Sequence, residues 1–359
     1  MRNAVALTEI QCVEQPRCVE QPTDTAVLDR RAGLAVGGLV FVLLTVIIFW
    51  YQFRAIADAP TSIAWDRLRW PYLLLIVACV PAETLLAALR TSLVCGVLQR
   101  GVSLRTCIKA EWANVGLNLL TPCHVGGGPA QIYVMTRAGV RVGTALAISL
   151  MSFSGTVAGL FSIGLCTLLM SDAVRVRALA SVTVPIVTVM VLVLAATAWR
   201  PEAFRIVLGS GRAMTVATAY RDEVRRFLRR GRRHLPWIYA LSLGFLLIRG
   251  LIAYLCVRFL GIEAGSIWSI AQIQMAMAFV VLFAPTPGGA GVTESLSGAL
   301  MADIVPIGLV PYYNLLWRFS TTYLVAIAGL VCLSRALLEH TRQVGAVAIR
   351  RERCDRTDV

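Results

Sequence analysis

The stretches AEWANVGLNLLTPCHVGGGPAQIYVMTRAGV (residues 110–140) and AQIQMAMAFVVLFAPTPGGAGVTESLSGALM (271–301) decide the fold. Each is apolar enough to enter lipid, and each is interrupted near its middle by proline and glycine. A helix needs about 20 residues to cross a hydrocarbon core roughly 30 Å thick, so neither half crosses comfortably. The interruptions also free backbone N–H and C=O groups that bare lipid cannot satisfy. The regions around them, about 105–138 and 267–302, are therefore predicted to be re-entrant helical hairpins buried among complete spans.

Working outward, uninterrupted apolar runs occupy Gly33 to about Phe53, then about 71–95, 142–170, 180–199, 236–257 and 305–334. The chain of 359 residues is only 15% charged, against about 25% for soluble domains, and its mean hydropathy is +0.72. No alternating strands of the barrel type are visible. The expected fold class is all-α and polytopic, with six full transmembrane helices plus the two hairpins. The run at 33–53 reads as an uncleaved anchor, because it is longer than a signal-peptide core and follows too long a polar segment. That segment, 1–32, carries the repeat CVEQPR (12–17) and CVEQP (18–22) and is expected to be a disordered cytoplasmic tail. The first membrane repeat then covers 33–170 and the second 171–334, with a basic cytoplasmic loop at 200–235 and a cytoplasmic tail at 335–359.

Charge predicts the orientation. Net charge is +14, and Lys109 is the single lysine among 34 basic residues. If each hairpin returns to the face it left, one face holds 25 basic residues and the other holds six: Arg54, Arg67, Arg69, Arg175, Arg177 and Arg258. Lys and Arg bias loops to the cytoplasm, so a multi-pass protein of a bacterial inner (plasma) membrane with both termini cytoplasmic is expected. The run RDEVRRFLRRGRR (221–233) then lies on anionic lipid headgroups. A loop this short supplies no folded nucleic-acid-binding module.

The two interrupted stretches also match each other at an ungapped offset of 163 residues. Pro122 falls on Pro285, Gly126 on Gly289, Gly128 on Gly291, Gln131 on Glu294, Lys109 on Gln272 and Glu111 on Gln274. The first half starts inside and the second outside, which makes them inverted copies. Such repeats, with broken helices at corresponding places, point to a secondary-transporter architecture with its site at the repeat interface. Helices restarting after GGG (126–128) and PGGAG (287–291) would present N-termini that favour phosphate or carboxylate. The plainer alternative is that these glycines serve tight turns and close packing.

The stretch NLLTPCHVGGGPAQIYVMTRAGV (118–140), the later APTPGGAGVTE (284–294) and the WRF at 317–319 resemble the lysylphosphatidylglycerol synthase transmembrane family. The resemblance covers about 33–340, and PTPGGAGVTE is its most specific part. It implies a flippase-like membrane domain that moves an aminoacylated phospholipid between leaflets. In that family the synthase activity resides in a separate soluble C-terminal domain, for which the 25 or so residues after the last span leave no room. The resemblance points to Asn118, Pro122, Gly126, Gly127 and Arg137, and to Pro287, Gly288, Gly289, Gly291, Glu294 and Arg318. One departure concerns substrate: where relatives carry charges in the third span, this chain reads ISLMSFSG (148–155).

Charged residues at bilayer depth are costly, so they face a partner or a polar cavity. Glu83 and Arg90 lie seven apart on one face of the second span and can share a groove. Arg249 and Arg318 fall near the centres of later spans, and Glu294 lies beyond the second tip. Glu111, Asn114 and Asn118 form a polar stripe along the first hairpin, with His124 and Gly128 at its tip. The expected site is a groove in which arginines and hairpin tips hold the phosphate of a phospholipid or lipid-linked substrate. The competing reading makes Glu83–Arg90, and Glu294 with Arg249 or Arg318, ion pairs that only glue helices.

No cofactor or metal is expected, since the three histidines are scattered and adjacent Cys123 and His124 point apart. No GxxxxGK[ST] loop for ATP is present. The alternative to a flippase is a membrane-embedded transferase, or a glycosyltransferase accessory, acting on a lipid phosphate. A third reading is a structural scaffold. Nothing in the sequence sets the oligomeric state.

Overall fold

The computed structural model describes residues 39, 42–43, 45–54, 65–99, 101–170, 174–199 and 211–336. Expectations for the tail at 1–32, for most of 335–359 and for part of the first span lie outside these residues. Helix α1 comprises residues 45–54. It is followed by α2 (Trp70–Leu98), α3 (Leu104–Leu120), α4 (Gly127–Arg137), α5 (Val142–Met170), α6 (Val174–Trp199), α7 (Arg212–Gly231), α8 (Leu235–Phe259), α9 (Ile267–Leu282) and α10 (Val292–Met301). The last, α11, runs over Ile307–Ala336. The fold is an all-α polytopic membrane protein, with no strand among the described residues.

Helices α2, α5 and α11, and the stretch Ala217–Phe259 containing α8, are long and apolar enough to cross a membrane. Their outward faces carry Leu74, Val77, Leu247 and Ile327, and α6 adds Val182, Val189 and Leu192, all exposed. A water-soluble surface rarely presents so much contiguous apolar area, so these faces suit acyl chains.

Helix α2 fixes the ends of the bundle. At its start, the Arg69 N–H donates to the Phe259 carbonyl at 3.0 Å, and Arg69 pairs with Glu263. At its other end, Gln99 Nε2 donates to the Gly139 carbonyl at 3.0 Å. The α3–α4 hairpin opens at the Gln99 end. The α9–α10 hairpin opens at the opposite end, where Gly265 lies against Ile304. A separate core fills each end, one around Ile76, Ile252, Leu260, Met301 and Val305, the other around Leu98, Cys107, Met135, Val140 and Phe227.

The first arms start 163 residues apart, at Leu104 and Ile267, but the turns Pro122–His124 and Pro287–Gly289 are 165 apart. At the tips Pro122 thus corresponds to Pro287 rather than Pro285, because the second hairpin has a longer link between arm and turn. The return arms, of 11 and 10 residues, rise only about 15 Å. That is half of a hydrocarbon core of roughly 30 Å.

The segment read as a basic loop is helical over Arg212–Gly231. Tyr220, Val224 and Phe227, at helical spacing, turn inward, and Tyr220 and Phe227 are buried. The arginines take the other face, a division between apolar and basic sides that suits an interfacial helix.

Candidate functional site

The two hairpins, rising from opposite ends of the bundle, meet tip to tip. The Cys123 N–H donates to the Ala284 carbonyl at 2.9 Å. Both turns use left-handed backbone: Cys123 and His124 at φ 51° and 54°, Gly288, Gly289 and Gly291 at 59°, 67° and 84°. The glycines adopt this region without steric cost, whereas Cys123 and His124 do so under strain.

Two ion pairs flank the junction. Glu83, at the midpoint of α2, meets Arg249 of α8 at 3.0 Å. Glu294, in the first turn of α10, meets Arg318 of α11 at 2.8 Å, with both side chains 3% exposed. Glu83 therefore pairs across to α8 and not along α2 with Arg90. Seven residues of helix separate those two by about 10 Å of rise, which keeps the shared face from becoming a contact. Arg318 also donates to the carbonyls of Gly288 and Gly289 at 2.8 and 3.1 Å, so it holds the second tip in place. Arg249 donates to the Thr321 carbonyl at 3.1 Å. Thr321 lies in the π-helical turn Phe319–Tyr323, a local widening that often marks functional sites. Arg249 stays a quarter exposed. Buried His124 Nδ1 has no hydrogen-bond partner, and Arg249 and Arg318 both act on His124 electrostatically.

The polar stripe of the first hairpin closes on itself. The Gly127 N–H donates to Asn118 Oδ1 at 2.7 Å. Asn118 Nδ2 donates to Asn114 Oδ1 at 2.8 Å, Asn114 Nδ2 to Gln131 Oε1 at 3.2 Å, and Gln131 Nε2 to Glu111 Oε1 at 3.1 Å. Thr91 donates to Glu111, and Ser149 donates to Gln131 at 2.7 Å. Arg90 donates to the hydroxyls of Thr156 and Ser242. Its guanidinium and that of Arg249 lie over the same Phe245 ring, at 5.8 and 5.6 Å, within cation–π range.

Both helix N-termini at the tips are already engaged. Side chains of Asn118 and Thr121 accept from Gly127 and Gly126, and Glu294 accepts from the Gly291 N–H at 2.7 Å. The expectation that these ends stand open to an anion does not hold for this arrangement. Gly126 and Gly127 are packing residues, since an added Cβ would lie 2.7 Å from Thr121 and 2.4 Å from Asn118, while Gly128 has room. Pro287 starts the second turn. Arg137 stands apart, exposed in the last turn of α4, about 15 Å along the helix from the tip.

Sequence reasoning passed over Thr91, Ser149, Ser152, Thr156, Ser242 and Phe245. A signal existed, for Ser149, Ser152 and Thr156 recur at i, i+3 and i+7, the first two within the stretch noted for its lack of charge and the third just after it. It also passed over Ser297 and Asn314, buried polar residues one helical turn from Glu294 and Arg318.

A family model described as the lysylphosphatidylglycerol synthase TM region matches residues 32–329. No curated protein matches the chain.

Proposed function

This chain belongs to the lysylphosphatidylglycerol synthase TM-region family, and on that premise we propose that it is a flippase-like carrier of a phospholipid or lipid-linked intermediate. The observation that carries the proposal is the junction itself. Two broken-helix tips from opposite ends of the bundle touch beside Glu83–Arg249 and Glu294–Arg318, at the middle of α2. In a bilayer this junction lies near the midplane and the two hairpins are re-entrant. The halves act as inverted repeats, a reading supported by element bounds that recur at offsets of 163–165 residues.

A lipid phosphate reaching the junction competes with a carboxylate for a guanidinium. Arg249, partly exposed, is the first to meet it, while the acyl chains remain in lipid. Transfer of Arg318 from the tip carbonyls to the phosphate releases the second hairpin, and rocking of the halves opens the junction to the other leaflet. The basic excess at the Gln99 end supports a cytoplasmic orientation for that face in a bacterial inner membrane. There the arginine face of α7 rests on anionic headgroups.

The test is headgroup movement between leaflets in proteoliposomes made from anionic phospholipid. Wild-type protein is expected to speed movement well above protein-free vesicles, and Arg249→Met to lose most of that gain. Wild-type protein that moves neither phospholipids nor polyprenyl-phosphate lipids contradicts the proposal. A membrane-embedded transferase is the second reading. Turnover of a lipid-linked donor that depends on Glu294, without any leaflet transfer, would favour it.

A further inference from the structure

The two hairpins treat their buried polar groups differently. Around α3 and α4, Glu111, Asn114, Asn118 and Gln131 are bonded to one another, and the unpaired atoms, His124 Nδ1 and Tyr133 Oη, lie on separate side chains of the tip and return arm. Around α10 and α11, Ser297 Oγ, both polar atoms of Asn314 and Trp317 Nε1 are buried without a hydrogen-bond partner. Ser297 is 0% exposed and Asn314 1%. A buried polar group left unpaired costs about 1–3 kcal/mol, and a concentration of them in a folded protein calls for a partner.

These groups share one place. Glu294 of α10 contacts Arg318 of α11, and Gly298 faces Val310, so the two helices run antiparallel in a register that sets Ser297 opposite Asn314. Trp317 lies three residues on from Asn314, on the same side of α11. The set comprises an amide, a hydroxyl and an indole N–H, all uncharged, adjoining the Glu294–Arg318 pair. Each carboxylate at the junction already faces a guanidinium, so an ammonium headgroup meets no uncompensated anion.

We propose that Ser297 and Asn314 form a headgroup-recognition site for the hydroxyls of a polyol phosphodiester lipid, of the glycerol or cyclitol type, whose phosphate lies at Arg318. This rests on the carrier reading and narrows its substrate from any lipid phosphate to an uncharged, hydroxylated headgroup. It departs from the aminoacylated lipid that the family resemblance implies. The amide of Asn314 offers both donor and acceptor to adjacent hydroxyls, and Ser297 Oγ serves as either. A site built to bond a substrate hydroxyl discriminates strongly against the analogue that lacks it.

Purified full-length protein in detergent is offered phosphatidylglycerol and phosphatidylmethanol of the same acyl chains in equal amounts, and retained lipid is counted by native mass spectrometry. The pair share phosphodiester and charge and differ in the hydroxyls. Phosphatidylglycerol is expected to be retained about tenfold or more over phosphatidylmethanol, with phosphatidylinositol retained likewise. Ser297→Ala and Asn314→Leu, each monodisperse on gel filtration, are expected to bring the ratio towards one. Equal retention by wild-type protein, the outcome if these groups bond ordered water only, overturns the proposal. So does preference for aminoacylated phosphatidylglycerol, or a ratio that survives in Ser297→Ala; in these cases lipid still binds and the carrier reading stands. If no lipid is retained, the carrier reading fails first and this proposal with it.

Discussion

Arg318 serves Glu294 and the carbonyls of Gly288 and Gly289 together, a division of labour that only a forked guanidinium allows. Arg318→Met strands Glu294 as a buried carboxylate, which costs about 3–5 kcal/mol. Thermal unfolding in detergent is expected to show a large loss for this variant, and a partial recovery when Glu294→Gln is added. If the double variant melts no higher than the single, the pair is not what holds the tip. The glycine run supplies an internal control. Gly127→Ala puts a methyl 2.4 Å from Asn118, whereas at Gly128 the nearest atom is 3.9 Å away. The first is expected to lose about 1–3 kcal/mol by overpacking and the second much less, as read from the same melting curves. Comparable losses at both would undo the packing account of Gly127.

At the scale of elements, α3 and α11 cross with almost no separation. A Cβ on Gly329 would lie 1.8 Å from the Trp112 carbonyl oxygen, and one on Gly116 3.1 Å from that of Ala326. Such contacts depend on small residues. Gly329→Ala is expected to be the most damaging substitution among the described glycines, because backbone must move to admit the methyl. Recovery of monodisperse protein from detergent extracts measures this, and wild-type yield would contradict the close crossing. Neither glycine stood out in the sequence, where both sit among small and apolar residues. The helical spans and broken hairpins were legible, since length, apolarity and Pro/Gly breaks are local properties. The partner of Glu83 was not legible: helical periodicity relates residues of one helix, while Arg249 comes from another. Helix α7 was obscured for a different reason. Its charge dominated the reading, although Tyr220, Val224 and Phe227 kept a 3.6-residue rhythm beneath it.

At the scale of the whole molecule, the two ends of the bundle have separate apolar cores, and the hairpins link them through contact at the tips. The polar side chains that line the first hairpin, from Asn118 to Glu111, are bonded to one another, whereas Ser297 and Asn314 of the second are not. That asymmetry suits a carrier whose first hairpin is a rigid wall and whose second hairpin releases and regrips. If a headgroup passes through the junction, the contact between Cys123 and Ala284 must part in every cycle. The most direct measurement uses protein with its other cysteines replaced and Ala284→Cys added, joined to Cys123 by a short thiol cross-linker with a cleavable bond. Leaflet-to-leaflet lipid movement in proteoliposomes is expected to stop when the tips are joined and to return when the linker is cleaved. Movement that continues at its full rate with the tips joined would contradict passage through the junction.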